Sequence, residues 1–108
     1  MQINDIDGKR QLHVLVKGKV QGVGFRYFVL QLVGEKAITG WVRNLNDGRV
    51  EGIFEGMAQD LASLLEKISL GPSSSKITEV TETWGLATGK FPKFQIASNA
   101  PQAQANRY

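Results

Sequence analysis

The chain contains no cysteine, and His13 is its single histidine. Disulfides, thiolate nucleophiles and Cys-ligated zinc are excluded together, and a His-rich metal site cannot be built, so no metal site and no cofactor are expected. Long apolar runs are missing as well. The longest strictly apolar or aromatic stretch, Tyr27 to Leu30, falls far short of the ~20 residues that cross a bilayer, so no membrane partner is expected. The opening residues MQINDIDGKR carry acids and no apolar segment, unlike a secretory or transit peptide, which makes the cytoplasm the expected compartment. No block of consecutive like charges marks a nucleic-acid-binding tail.

What is present describes one globular domain. A length of 108 residues supports a single core. The 42% apolar and 21% charged shares are ordinary for such a domain. A net charge of +3 favours anionic partners, among which small phosphate compounds and nucleic acid both qualify.

Along the chain the apolar period changes in an informative order. In Gln11 to Lys17 the residues Leu12, Val14 and Val16 alternate with His13, Leu15 and Lys17, the pattern of a strand. Phe25, Phe28, Val29 and Leu32 then fall at helical spacing and predict a helix over Phe25 to Glu35. TGWVRNLNDGRVEGIFEG reads as a hairpin turning at Asp47-Gly48 through a two-residue loop. Met57, Leu61, Leu64, Leu65 and Ile68 share one face of a second helix that stops at Gly71-Pro72. KITEVTETW is β-rich, and FQIAS can form a short last strand. The order β-α-β-β-α-β with a fifth strand, joined by right-handed crossovers, predicts a ferredoxin-like α+β sandwich. Two helices would pack on one face of a mostly antiparallel sheet. Residues 1–10 read as an N-terminal extension, 11–98 as the domain and 99–108 as a loose polar tail.

The candidates for chemistry are few. His13, on a strand among apolar neighbours, reads as a packed or half-exposed residue and not as a catalyst. Glu51 and Glu55 share a strand face, which reads as solvated sheet surface in preference to a paired-acid site. Ser73 to Ser75 read as turn residues. The segment GKVQGVGFRYF, Gly18 to Phe28, stands apart. A glycine-rich loop leading from a strand into a helix can converge its N–H groups on one point, and the helix dipole adds to the field there. Arg26 falls in the first helical turn, where its planar fork can take two phosphate oxygens. A cation at a helix N-terminus is otherwise slightly unfavourable. The Walker pattern and the complete dinucleotide fingerprint are both absent.

With GKVQGVGFR followed by GWVRN and DGRVEGIFEG, the chain resembles the acylphosphatase family from about Leu12 to Ser98, including GP after the second helix and F-x-I near the end. The resemblance implies an enzyme that hydrolyses the carboxyl-phosphate bond of an acyl phosphate to a carboxylate and inorganic phosphate. It implies that Arg26 and the backbone amides of Gln21, Gly22, Val23, Gly24 and Phe25 bind the phosphate, and that Asn44 holds the attacking water. The chain departs from the commoner family pattern at Ser75 and in its polar tail. The chemistry suits the residue inventory: phosphoryl transfer needs charge neutralisation and alignment, and a carboxylate whose acid has a pKa of roughly 4 leaves without protonation. A monomer acting on a small molecule is expected, without metal. Two other readings share the fold: a non-catalytic acylphosphatase-like binding domain, and an RNA-recognition module. Against the latter, the third strand RVEGIFE offers one aromatic, Phe54, and two glutamates.

Overall fold

The computed structural model describes residues 8–104; Met1 to Asp7 of the N-terminal extension and Ala105 to Tyr108 of the tail lie outside the described residues. The elements follow the order β1 (Lys9–Lys19), α1 (Phe25–Val33), β2 (Thr39–Asn44), β3 (Val50–Met57), α2 (Ala58–Leu70), β4 (Lys76–Leu86) and β5 (Phe94–Ile96). They build one five-stranded sheet in the order β4-β1-β3-β2-β5, antiparallel throughout except for the parallel β2–β5 pair. This is the expected ferredoxin-like α+β arrangement.

Strand alternation sends Leu12, Val14 and Val16 of β1, Val42 of β2 and Val50 and Phe54 of β3 into the main core, where they meet Phe25, Val29 and Val33 of α1 and Leu61, Leu64 and Ile68 of α2. Burial of this kind contributes about 1.5–3 kcal/mol for each large side chain. Phe54 stacks on Phe94 of β5 with ring centroids 5.4 Å apart, which fixes the short last strand against the centre of the sheet.

Three local expectations change. Helix α1 ends at Val33, because Gly34 takes a φ of +52° while its amide bonds to Leu30 O at 3.0 Å. Met57 closes β3 and is 42% exposed; the buried stripe of α2 is Leu61, Leu64 and Ile68. The β2–β3 turn spans three residues and not two. Leu45 pairs with Arg49 through N–H to O at 2.9 Å, Gly48 N–H reaches Leu45 O at 3.1 Å, and Gly48 has a φ of +99°. A type I turn followed by a left-handed glycine suits such a loop.

The larger correction concerns the other face of the sheet. Glu51, expected on a solvated surface, is 0% exposed, and Glu55 is also buried. Burial alone would raise the Glu51 carboxyl. The bonds from His13, the Gln104 amide and Arg43, together with the Arg43 charge, outweigh it and hold the group below the ordinary carboxylate range. Glu55 behaves alike: burial raises it, and donors from Gln11, the Thr88 and Gly89 amides and the Thr88 hydroxyl overcompensate. Segments that return after β4 bring several of these donors, and they cover the face.

Residues from Asn99, expected as a loose tail, are held in place up to Gln104. Ala100 forms a parallel bridge to Leu45, and the Gln104 amide donates to Glu51 Oε2 at 2.7 Å.

Candidate functional site

The β1–α1 loop is anchored at both ends by apolar residues, Val20 and Phe25, each almost fully buried. Between them Gly22 and Gly24 take φ values of +74° and +78°. A Cβ at either position would meet nothing within 4 Å, so glycine is needed there for its backbone conformation and not for lack of space. Residues 21–24 form a turn, and among the described residues no hydrogen bond of good geometry ties the amides of Gln21, Gly22, Val23, Gly24 and Phe25 to a protein acceptor. The first hydrogen bond at this end of α1 is Phe28 N–H to Gly24 O, at 2.9 Å. Among the described residues no side chain caps the helix and no acid lies in its first turn, so none of them neutralises its N-terminal field.

Two side chains hold the loop in this shape, and neither role was apparent from sequence spacing. Gln21 Nε2 donates to Leu45 O at 2.7 Å and to Arg49 O at 2.9 Å, joining the loop to the β2–β3 turn. Ser74 Oγ donates to Val23 O at 3.1 Å, joining it to the turn after α2. The only sequence-level signal for the first contact is a long amide side chain at the start of a glycine loop; for Ser74 there is none beyond turn chemistry.

Arg26 occupies the first turn of α1, half-buried, and its guanidinium makes no hydrogen bond or ion pair among the described residues. Asn44 ends β2 and shares strand parity with Val42, whose side chain is in the core beneath the helices. It is 8% exposed, and its Oδ1 is the one buried side-chain nitrogen or oxygen without a hydrogen-bond partner among the described residues. An unsatisfied buried acceptor costs about 1–3 kcal/mol, which a donor on a bound molecule would offset. The Gln21 clamp on Leu45 brings the loop amides and Asn44 to the same end of the sheet.

His13 lies elsewhere, on the sheet face away from the helices, with Nε2 at 2.7 Å from Glu51 Oε2. Arg43 donates to Glu51 Oε1 and lies 4.2 Å over the Trp41 ring. These groups are tied to one another and are structural. Two surface clefts, one beside Leu15, Lys17 and Thr81 and the other beside Val33, Ile38 and Phe94, include neither Arg26 nor Asn44 in their walls. An anion held by converging amides needs a small cradle more than a deep cavity, so the clefts do not displace the loop as the candidate site. Among the described residues no three His, Asp or Glu side chains gather in a group that could hold a metal ion, and no helix is long and apolar enough to cross a membrane.

Comparison with known proteins identifies the family of this fold. The acylphosphatase family model matches residues 12–96. An acylphosphatase of Syntrophobacter fumaroxidans is 42% identical over 88 residues, covering 82% of this chain and 91% of the relative. One from Bacillus subtilis is 44% identical over 86 residues, covering 80% and 94%. The crystal structure of acylphosphatase from Bacillus subtilis superposes with a TM-score of 0.77 at 39% identity, covering 82% of this chain and 98% of that one. The fold, the glycine loop and these matches together show that the chain belongs to the acylphosphatase family, whose substrates are small acyl phosphates and whose product is inorganic phosphate.

Proposed function

We propose that the amides of Gln21, Gly22, Val23, Gly24 and Phe25, together with the Arg26 guanidinium, hold the phosphate of an acyl phosphate, and that Asn44 positions the attacking water. The observation that carries this reading is the run of amides without a well-formed protein hydrogen bond at an uncapped helix start, clamped beside a buried Asn44 oxygen that lacks a donor among the described residues. Converging N–H groups and the helix dipole favour an anion, and they are worth most where charge accumulates on the phosphoryl oxygens during transfer.

In the proposed step the water oxygen attacks phosphorus in line with the acyl oxygen. A P–O bond to water forms, the P–O bond to the acyl group breaks, and the electron pair leaves with the carboxylate. An amide is no useful base, so Asn44 orients the water through Oδ1, and the water's proton passes to a phosphoryl oxygen of the substrate. The leaving carboxylate needs no acid, in keeping with a sole histidine engaged by Glu51.

The proposal extends to a monomeric, metal-independent enzyme of the cytoplasm that takes no nucleic acid. Against RNA binding stands the β3 face that would carry stacking aromatics: it presents Glu51, Ile53 and Glu55, all buried. Against a purely binding domain stands the joint presence of Arg26 and Asn44.

Kinetics of three variants on a small acyl phosphate, with a phosphate monoester as control, test the roles. Arg26→Ala is expected to weaken both inhibition by inorganic phosphate and kcat, with little rescue by Arg26→Lys, because one ammonium does not replace the fork. Asn44→Ala is expected to lower kcat about a hundredfold while phosphate inhibition stays nearly unchanged. A folded Asn44→Ala protein with normal kcat removes Asn44 from the mechanism.

A further inference from the structure

The stretch that follows β5 lies beyond the residues matched by the family model, yet it is bonded to the backbone around Asn44. After β5 the chain continues parallel to β2. Ala97 N–H reaches Val42 O at 2.9 Å, Ala100 N–H reaches Asn44 O at 3.0 Å, and Asn46 N–H reaches Ala100 O at 2.9 Å. One residue bonding to the positions on either side of Leu45 is the pattern of a parallel ladder. The β2–β3 ladder ends at the pair Asn44 and Val50, so the edge of β2 opposite β3 has Ala100 as its partner at this point. Ala100 is itself 9% exposed. Farther along, the Gln104 amide is anchored on Glu51, which Arg43 and His13 hold in turn.

We propose that residues 97–104 are a strap that positions Asn44, so that part of the catalytic alignment is supplied by a segment outside the family-matched region. The proposal rests on the reading that Asn44 orients water. Asparagine has a short side chain, and its Oδ1 follows the strand backbone closely. The β2–β3 turn beyond Asn44 is otherwise held by its own closing bonds and by Gln21. Without the Ala100 bond the end of β2 can shift, and a displacement of ~1 Å costs up to a hundredfold in rate. The phosphate cradle belongs to the loop and α1, so its affinity is expected to be spared. The strap therefore acts on kcat and not on phosphate binding.

Ala100→Pro in the 108-residue chain removes the N–H given to Asn44 O and keeps the carbonyl that accepts from Asn46. The expected result is a kcat about tenfold lower, with the inhibition constant for inorganic phosphate within about twofold of wild type. Ala100→Gly, which retains the donor, is expected to bring kcat back to within about threefold. In the Asn44→Ala background, Ala100→Pro is expected to add no further loss, because both changes then act on one group. A folded Ala100→Pro protein with wild-type kcat, or losses that multiply in the double variant, overturns the strap while leaving the Asn44 reading intact. Wild-type kcat in Asn44→Ala overturns that reading itself, and the strap with it. If Ala100→Pro does not fold, Gln104→Pro releases the far anchor by removing the amide donated to Glu51. It must then lower kcat about threefold at unchanged phosphate inhibition, and an unchanged kcat overturns the proposal.

Discussion

Glu51→Ala probes the buried ionic cluster on the covered face of the sheet. The carboxylate is fully buried and accepts bonds from four donors: His13 Nε2 and the Gln104 amide on Oε2, both at 2.7 Å, and Arg43 Nε and Nη2 on Oε1, both at 2.9 Å. Alanine removes both carboxylate oxygens at once and strips a guanidinium, an imidazole and a backbone amide of their bonds to Glu51. Removing one member of a buried pair costs about 3–5 kcal/mol. The Arg43 side chain is 18% exposed and can turn partly toward water, which favours the lower end, so the expected loss is about 3 kcal/mol. A domain of this size has roughly 5–15 kcal/mol in all, and each kcal/mol lost lowers Tm by about 4–8 °C. The midpoint is therefore expected to fall by about 15 °C. Urea unfolding followed by circular dichroism at pH 7 measures the loss directly, with Glu79→Ala on exposed β4 as a control expected to change by less than ~0.5 kcal/mol. A loss below ~1 kcal/mol for Glu51→Ala, with an unchanged denaturant slope, would refute the view that this cluster carries stability.

Acid should expose the same cluster. Glu51 and Glu55 are both held below the ordinary carboxylate range in the folded protein, so the unfolded chain binds more protons, and stability rises with pH across that window. The stabilisation is present above the unfolded value and is lost as pH falls through the lower folded one; urea titrations from pH 7 to 3 should show a shallower decline in Glu51→Ala than in wild type, and parallel curves would exclude the linkage. Inorganic phosphate should raise Tm in wild type, by the equivalent of ~2.7 kcal/mol at a hundred times its dissociation constant, and the shift should vanish in Arg26→Ala. An equal shift in the two proteins puts phosphate elsewhere. Chelator treatment should leave hydrolysis unchanged, and activity lost to chelator and restored by one divalent metal would contradict the metal-independent mechanism.

Local periodicity carried the architecture. The two-residue alternation of Leu12, Val14 and Val16 and the helical spacing of Phe25, Val29 and Leu32 are consequences of backbone geometry, so they are visible without any tertiary contact. The loop was legible for a similar reason: glycines that permit positive φ, followed at once by a helix, are a property of consecutive residues. Finer boundaries were less so. Asp47-Gly48 signals a turn, but whether its loop has two residues or three depends on the Leu45 to Arg49 pairing, which belongs to the register of two strands.

Tertiary structure alone decided what covers the second face of the sheet. Alternation places Glu51 and Glu55 on one side of β3, but solvation of that side depends on Thr88, Gly89 and Gln104, which arrive from more than thirty residues away. The segment from Asn99 has no apolar period to announce it, because its attachment runs through backbone groups at Ala100 and Gln104, and every non-proline residue carries those. The same holds for the clamp by Gln21 and the tie from Ser74, whose acceptors are main-chain carbonyls. Side-chain pattern records which residues leave water; it does not record which distant backbone amide or carbonyl they will meet, and here those meetings set the environment of Asn44.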